Sequence, residues 1–505
     1  MKNNNFNTAT KVVIMVFLLI TLFSCKKSFL DITPRHYLTD EDFYINDSDF
    51  IQSTNAVYGD MQEFILKAHI LEEGRSDNTT YDNYLDQGLL GGSMQLGLID
   101  QFKETSDAQP IADAWNVIYS AIKDCNETLW HLRTAKINPS LALRLSGELR
   151  FFRAYFYFIA VQYWGDVPLL TSPINTAEEA FAIRRSPVSD VYNTIINDAQ
   201  FADSTLPLKY TGADIGRITS GAAKMLLANV FMTLHKYSEA EVYLRAIINS
   251  HVYSLLPNYA DIFNPNNKNN AESIFEVQFK DGPEGEASNF IYQFAPVGSK
   301  GKVFVGPGTG GGNNIPTKDM VEAYEPHDLR KDVSIGYIIR NNDTVYYVKK
   351  YAHSSNTSYP TTPDDWPVYR YADVLLLLAE AINEQGYQTG EPFNLLNEIR
   401  NRAGLPPLTP LDLPDQQSFR EALAHERRVE LAFENHRWFD LLRTGTAISV
   451  MTAYGKKEIA NPTTPPPNYL PYDSTSFVIT KNKLLYPIPA AELVLDPNLT
   501  QNPGY

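Results

Sequence analysis

The chain has 505 residues, and its 43 lysines and arginines face 59 aspartates and glutamates, a formal net charge of −16. A surplus of that sign repels phosphate backbones and excludes nucleic acid as a partner. Hydrophobic residues at 44% and charged residues at 20% are a globular balance, not that of a wholly disordered chain.

The N-terminus carries the first directional signal. Lys2 and Lys11 flank a polar start, and Val12 to Phe23 form an almost unbroken apolar run. A helix needs about 20 apolar residues to span a bilayer, so this run is too short for a permanent anchor and fits the core of a secretory signal peptide. It ends in Leu22-Phe23-Ser24-Cys25, which resembles the lipobox of bacterial lipoproteins: cleavage before the cysteine, acylation of its sulfur. Residues 1–24 are therefore expected to be a signal peptide, Cys25 the lipidated residue, and 25–39 a tether interrupted by Pro34. No later segment reaches spanning length; even Val374 to Ala379 stops after six residues. With Cys25 acylated only Cys125 remains, and a lone thiol forms no internal disulfide.

Downstream, the texture predicts a mostly α fold. A helical pattern runs from Asp40 to about Gln62, and residues 72–110 turn polar and glycine-bearing, as long loops do. Helical patterns return over Ile111–Tyr163, Pro187–Ser250 and Arg370–Arg443. Residues 256–365 form an irregular, loop-rich insert with strand-like pieces at Ile274–Phe279 and Thr344–Lys350. Two regions follow, an N-terminal helical region over 40–255 and a C-terminal region over 256–505 that includes the insert. Leu227, Ala228, Phe231, Tyr237, Ala240, Leu244 and Ile247 have the spacing of a tetratricopeptide-like helix pair. A looser copy begins near Tyr371, and Trp115 to Phe158 supplies another. Each pair leaves an apolar face uncovered, so the pairs must stack as a scaffold.

No catalytic constellation emerges. His425-Glu426 opens like a zinc-protease helix, but Val429 stands where the second histidine belongs. The glycine run Gly310 to Gly312 lacks the following Gly-Lys-Ser/Thr that grips a phosphate. No cofactor and no metal site is expected. The most ordered charge pattern is Glu426-Arg427-Arg428-Val429-Glu430-Leu431-Ala432-Phe433-Glu434, continuing to Arg437-Trp438-Phe439-Asp440. It reads as a buried, salt-bridged helix, with Arg427–Glu430 and Glu434–Arg437 spaced to pair along one face.

That segment resembles the signature helix of the SusD/RagB family. Arg153-Ala154-Tyr155-Phe156-Tyr157, Tyr163-Trp164-Gly165-Asp166-Val167-Pro168, Glu272-Ser273-Ile274-Phe275-Glu276-Val277 and Arg370-Tyr371-Ala372-Asp373-Val374 agree with the family in order. So do Asn397 to Pro406, Tyr486-Pro487-Ile488-Pro489 and Gln501-Asn502-Pro503-Gly504-Tyr505. The resemblance implies a lipoprotein of the Bacteroidetes outer membrane that faces outside. It implies binding of oligosaccharide or peptide nutrients, without catalysis, and delivery to a partner SusC-like TonB-dependent barrel. One departure is Lys26-Lys27 after the lipidated cysteine, where surface-export signals of this group often place acidic residues.

The ligand is expected on the loop Arg75 to Tyr84. Arg75, Asp77 and Asn78 would pair sugar hydroxyls, and Tyr81 and Tyr84 would stack on the rings. The corresponding loop contributes to glycan binding in starch-binding relatives. Trp366, after the loop Thr361–Asp365, is a further candidate, and the insert from Tyr292 to Phe304 a second location. Two other readings stay open: an envelope adaptor that binds only protein through helical repeats, and a surface glycosidase.

Overall fold

The computed structural model describes residues 43–82, 92–282, 285–353, 358–464, 468 and 470–505. The signal run, Cys25, the tether and Tyr84 lie outside the described residues.

Eight helices stand in a row that follows the chain. They are α1 (Asp47–Ala68), α2 (Gln109–Leu132), α3 (Pro139–Trp164), α4 (Val188–Thr205), α5 (Ser220–Thr233), α6 (Tyr237–Asn249), α7 (Tyr371–Gln385) and α8 (Glu391–Arg402). Each packs on the next, so every helix in the middle of the row is covered on both sides. Local chemistry sets the starts. The Asn46 side chain accepts from Ser48 N while Asp49 reaches back to the Asn46 N–H, a reciprocal cap for α1. Pro110 and Pro139 occupy the first turns of α2 and α3, where a missing N–H costs nothing. Gly165, at φ 74°, ends α3 and turns the chain into β2 (Val167–Pro168).

The expected helix pairs are present. In α5 and α6 the small Ala228 and Ala240 are fully buried, and Phe231 stacks on Tyr243 at 5.8 Å between ring centres. The α7–α8 pair follows the same plan, with Leu378, Ala379 and Ile399 buried, and α7 rests on α6. Among the described residues no helix is long and apolar enough to cross a membrane.

The insert hangs from a short antiparallel ladder. β4 (Ser273–Val277) pairs with β8 (Trp366–Arg370), which brings the two ends of the insert together beside the helix row. Both expected strands form, as β4 and as β7 (Asp343–Val348), the latter paired with β6 (Ile335–Arg340).

The signature segment is buried and salt-bridged, but not by the expected local pairs. Its helix, α9 (Gln416–Glu430), stops early, because Phe433 and Asn435 take positive φ and the chain restarts only at α10 (Arg437–Arg443). The break separates Glu434 from Arg437, whereas Arg427 and Glu430, both inside the unbroken α9, turn to partners on other elements instead. Glu430 accepts from Arg330, Arg370 and Arg402, and Glu434 from Arg370 and Lys350. Arg427 pairs with Asp373 at 2.5 Å and Asp440 at 3.1 Å, while Glu426 takes Arg330 and Arg400. Arg370 also holds Glu272 at 2.9 Å, at the entry to β4.

Burial alone would push the Glu430 carboxyl up, but the guanidiniums of Arg402, Arg370 and Arg330 outweigh it and hold the group well below the usual carboxylate range. A carboxyl depressed on folding contributes stability that is present above its unfolded pKa and lost as pH falls through the folded one. Glu430→Gln keeps the shape and leaves three buried cations without their shared anion. The expected cost is about 3 kcal/mol, the low end for breaking a buried pair, because Asp328, Glu426, Glu272 and Glu434 still partner these arginines while the cluster loses one buried negative charge. Denaturant titration should show that loss at neutral pH, shrinking as the pH is lowered below the carboxylate range. A loss under about 1 kcal/mol at pH 7 would mean the lattice does not hold the fold.

Candidate functional site

The described part of the loop expected to meet the ligand, Arg75 to Asp82, is buried. The chain leaves α1 at His69, makes a single turn over Glu73–Arg75, and forms β1 (Thr79–Thr80), which pairs with β5 (Ile315–Pro316). Arg75 is fully buried: it bridges Glu104 at 3.1 Å and donates to the Lys483 carbonyl, its guanidinium 4.4 Å from the Phe102 ring and 4.2 Å from the Tyr486 ring. Asp77 accepts from Arg437 at 2.7 Å and from Arg428 at 3.0 Å. Burial would raise the Asp77 carboxyl, but Arg428 and Arg437 hold it well below the usual carboxylate range. Asn78 donates to Glu73 and accepts from Arg428 Nε. Tyr81 covers Gly74 so closely that a Cβ there would lie 2.2 Å from its hydroxyl.

Trp366 is likewise enclosed, stacked on Tyr351 at 4.7 Å and against Phe290 at 5.0 Å. These side chains have no free face to offer in this conformation. The composition suited a sugar site, but the same Asp and Asn chemistry also suits a buried anchor for the signature segment, where Arg428 and Arg437 meet Asp77 and Asn78, while Arg75 is held by Glu104 and the Lys483 carbonyl.

At the end of this segment Asp82 turns the anchor toward the insert. Its carboxylate accepts both Arg340 guanidinium nitrogens at 2.7 Å and the Val297 N–H at 3.0 Å. Arg340 closes β6, which returns through Asn341 and Asn342, both at positive φ, into β7. Two residues of that conformation make the turn whose twist matches a hairpin.

Side chains alternate across a strand. Gly336, Ile338, Arg340, Val345 and Tyr347 share the inner face, and Ile338 and Val345 are buried on it. Tyr337, Ile339, Thr344 and Tyr346 share the other face, which is buried at its base, where Ile335 and Val348 join the core and Tyr346 packs on it, and outward-facing toward the turn. Tyr337 is 65% exposed and Ile339 52%, and Tyr337 sits directly opposite Tyr346.

The glycine run supports the neighbouring loop. Gly311 N and Gly312 N donate to the Tyr292 and Ala295 carbonyls, and a Cβ at Gly310 would come within 2.3 Å of the Pro296 carbonyl. Only glycine permits so close an approach of two backbones. The loop thus lies flat, with Tyr292 over Gly308 and Val305 exposed, and Lys302 reaches across to the Ile339 carbonyl. Residues 292–312 and the β6–β7 hairpin form one surface fixed to the core through Asp82. The sequence held a signal for the hairpin, since Asn341-Asn342 separates two runs of alternating character.

A separate concavity of about 610 Å³ is lined by Asn55, Tyr58, Gln62, Arg217, Lys268 and Gln278, among others. Its cations are engaged, Arg217 with Glu148 and Asp214 and Lys268 with Asp365.

Comparison with known proteins gives a consistent result. The SusD family matches residues 329–505, and a family described as starch-binding associating with outer membrane matches residues 28–232. A SusD-like protein, P25, from Formosa agariphila is 28% identical, over 98% of this chain and 99% of its own. Among solved structures, a SusD superfamily protein from Parabacteroides distasonis is 25% identical with a TM-score of 0.73, covering 93% of this chain and 100% of its own. A laminarin-binding SusD-like protein is 25% identical with a TM-score of 0.74, covering 92% of this chain and 100% of its own. Both halves of the chain are matched in family order, and the helix row is shared with these solved structures; the chain belongs to the SusD family.

Proposed function

We propose that the chain is a lipid-anchored outer-membrane protein that captures a nutrient oligosaccharide on its insert and passes it to a SusC-like TonB-dependent barrel. The observation that carries this reading is the outer face of the β6–β7 hairpin with the adjoining loop 292–312. Exposed Tyr337, with half-buried Tyr346 opposite it and half-buried Tyr292 on the adjoining loop, offers a flat apolar ring for the face of a sugar ring, and the tyrosine hydroxyls and loop polar groups suit the ring hydroxyls. A rigid support helps, because a surface already held in shape loses little freedom on binding. Laminarin binding by one relative and starch binding in the name of one matched family support a glycan over a peptide. The family's glycan binders also favour capture without catalysis, so incubation with the bound glycan should release no product.

Delivery follows from chemistry. An oligosaccharide is too polar to cross hydrocarbon, since each unpaired hydroxyl costs several kcal/mol, so a water-filled route through another protein is required. Mild-detergent purification from the native membrane should recover the lipoprotein with such a barrel, and recovery alone would argue for the adaptor reading.

Ligand contact is assigned to the insert and structural support to the Arg75–Asp82 segment, and the two make opposite demands. Tyr337→Ala should weaken binding of the glycan identified by array several-fold, about 1 kcal/mol for one lost ring contact, with the thermal midpoint unchanged. Asp77→Asn should lower the thermal midpoint and leave the affinity of the folded fraction as it was. Calorimetry with thermal melts reads both, and the reverse pattern would return the site to the Arg75–Tyr84 loop.

Cys25 is the proposed lipidation site, and Cys25→Ala should release the protein from the outer-membrane fraction or stall its processing. Full membrane recovery of the variant would refute the assignment.

A further inference from the structure

Four of the five tryptophans are enclosed: Trp115, Trp164, Trp366 and Trp438 are each at most 4% exposed. Trp130 is the exception at 44%. It lies in the last turn of α2, and the guanidinium of Arg133 rests on its face at 4.2 Å.

The surroundings of Trp130 mark the end of the molecule from which the tether departs. Tyr44, among the first described residues, stacks on His131 at 4.1 Å, and its hydroxyl lies 3.4 Å from that of Thr128. The start of α1 is joined to the start of α3 by Asn138 N donating to Asp47. Three helix ends therefore meet here, and the exposed apolar side chains Ile45 and Leu143 stand on the same end as Trp130. Arg133, on the ring, and Lys136, three residues further on, are both exposed. The nearby carboxylates are engaged: Asp47 holds Asn138, and Asp49 accepts from Ile45 N and Asn46 N.

We infer that this end of the helix row, centred on Trp130, rests in the headgroup layer of the bilayer that holds the lipid anchor. The inference rests on the reading of Cys25 as the lipidated residue. A tryptophan with an apolar body and a polar N–H is suited to that boundary, and a stacked arginine beside it can reach lipid phosphates. The tether alone does not force the contact, because the 17 residues between Cys25 and Phe43 could extend to roughly 60 Å. The overall charge of −16 opposes an anionic surface, so the contact depends on this local patch and orients the body without anchoring it.

The geometry gives that orientation a consequence. α1 runs from the tether end to His69, whose ring packs on Phe294 of the insert. Its 22 residues span roughly 33 Å. Seating the tether end on the leaflet holds the insert surface about one helix length away from the lipid.

The test uses the native lipidated protein in phospholipid vesicles whose acyl chains carry bromine, a short-range quencher of tryptophan emission. Wild type should float with the vesicles and lose emission relative to unbrominated vesicles. Trp130→Phe should float equally and show no bromine-dependent loss, since the remaining tryptophans are enclosed in the fold. Flotation with no bromine-dependent loss in wild type would overturn the inference while leaving the anchor intact. Failure to float would overturn the anchor reading and this one with it. Shielding of Trp130 from aqueous quencher only when a barrel partner is added would reassign the patch to protein.

Discussion

The structure depends on a lattice of buried ion pairs centred on Glu430. Three arginines from three parts of the chain converge on this one carboxylate: Arg330 from the insert, Arg370 from β8 and Arg402 from α8. Each charge taken from water is expensive and is tolerated only because its partners are in place. The lattice therefore acts as a register device. Glu272 and Glu434 share the same arginines, so the entry to β4, the exit from the insert and the signature segment must assemble together.

The consequences reach the surface in a short chain of contacts. Arg428 and Arg437, from either side of the break after α9, clamp Asp77, and Asn78 is held by Arg428 and Glu73. That fixes β1 against β5 and sets Asp82 where Arg340 and Val297 N can reach it. The hairpin and the flat glycine-bearing loop are thus positioned by charges buried well inside the protein. The insert is irregular in secondary structure yet tightly supported, which suits a surface that must meet a ligand without reorganising.

Much of this was legible in the residues. The helix pairs announced themselves through Ala228, Phe231, Ala240 and Leu244, because a packed helix seam imposes a spacing that survives in sequence. The buried character of the signature segment was legible too, from alternating charge among Leu431, Phe433 and Trp438. Its partners were not, because spacing within one helix says nothing of the charges that other elements bring, as Arg330, Arg370 and Arg402 do at Glu430, and the positive φ of Phe433 and Asn435 redirects the side chains that follow. The burial of the Arg75–Tyr81 segment was hidden for a related reason. Arg, Asp, Asn and Tyr have one hydrogen-bonding chemistry whether the partner is a sugar or a buried arginine, and only the fold decides between them. Trp366 is enclosed for the same reason, since burial depends on neighbours distant in the chain.

On the proposed reading a glycan meets the outer face of the insert while the segments beneath it only support that face. Hydrogen–deuterium exchange of the full chain, with and without a saturating oligosaccharide that it binds, tests this most directly. Protection should concentrate at residues 292–312 and in the hairpin 335–348, with little change at Asn55–Gln62 or Arg217. Protection confined to the concavity around Arg217 and Gln278, with the hairpin unchanged, would contradict it.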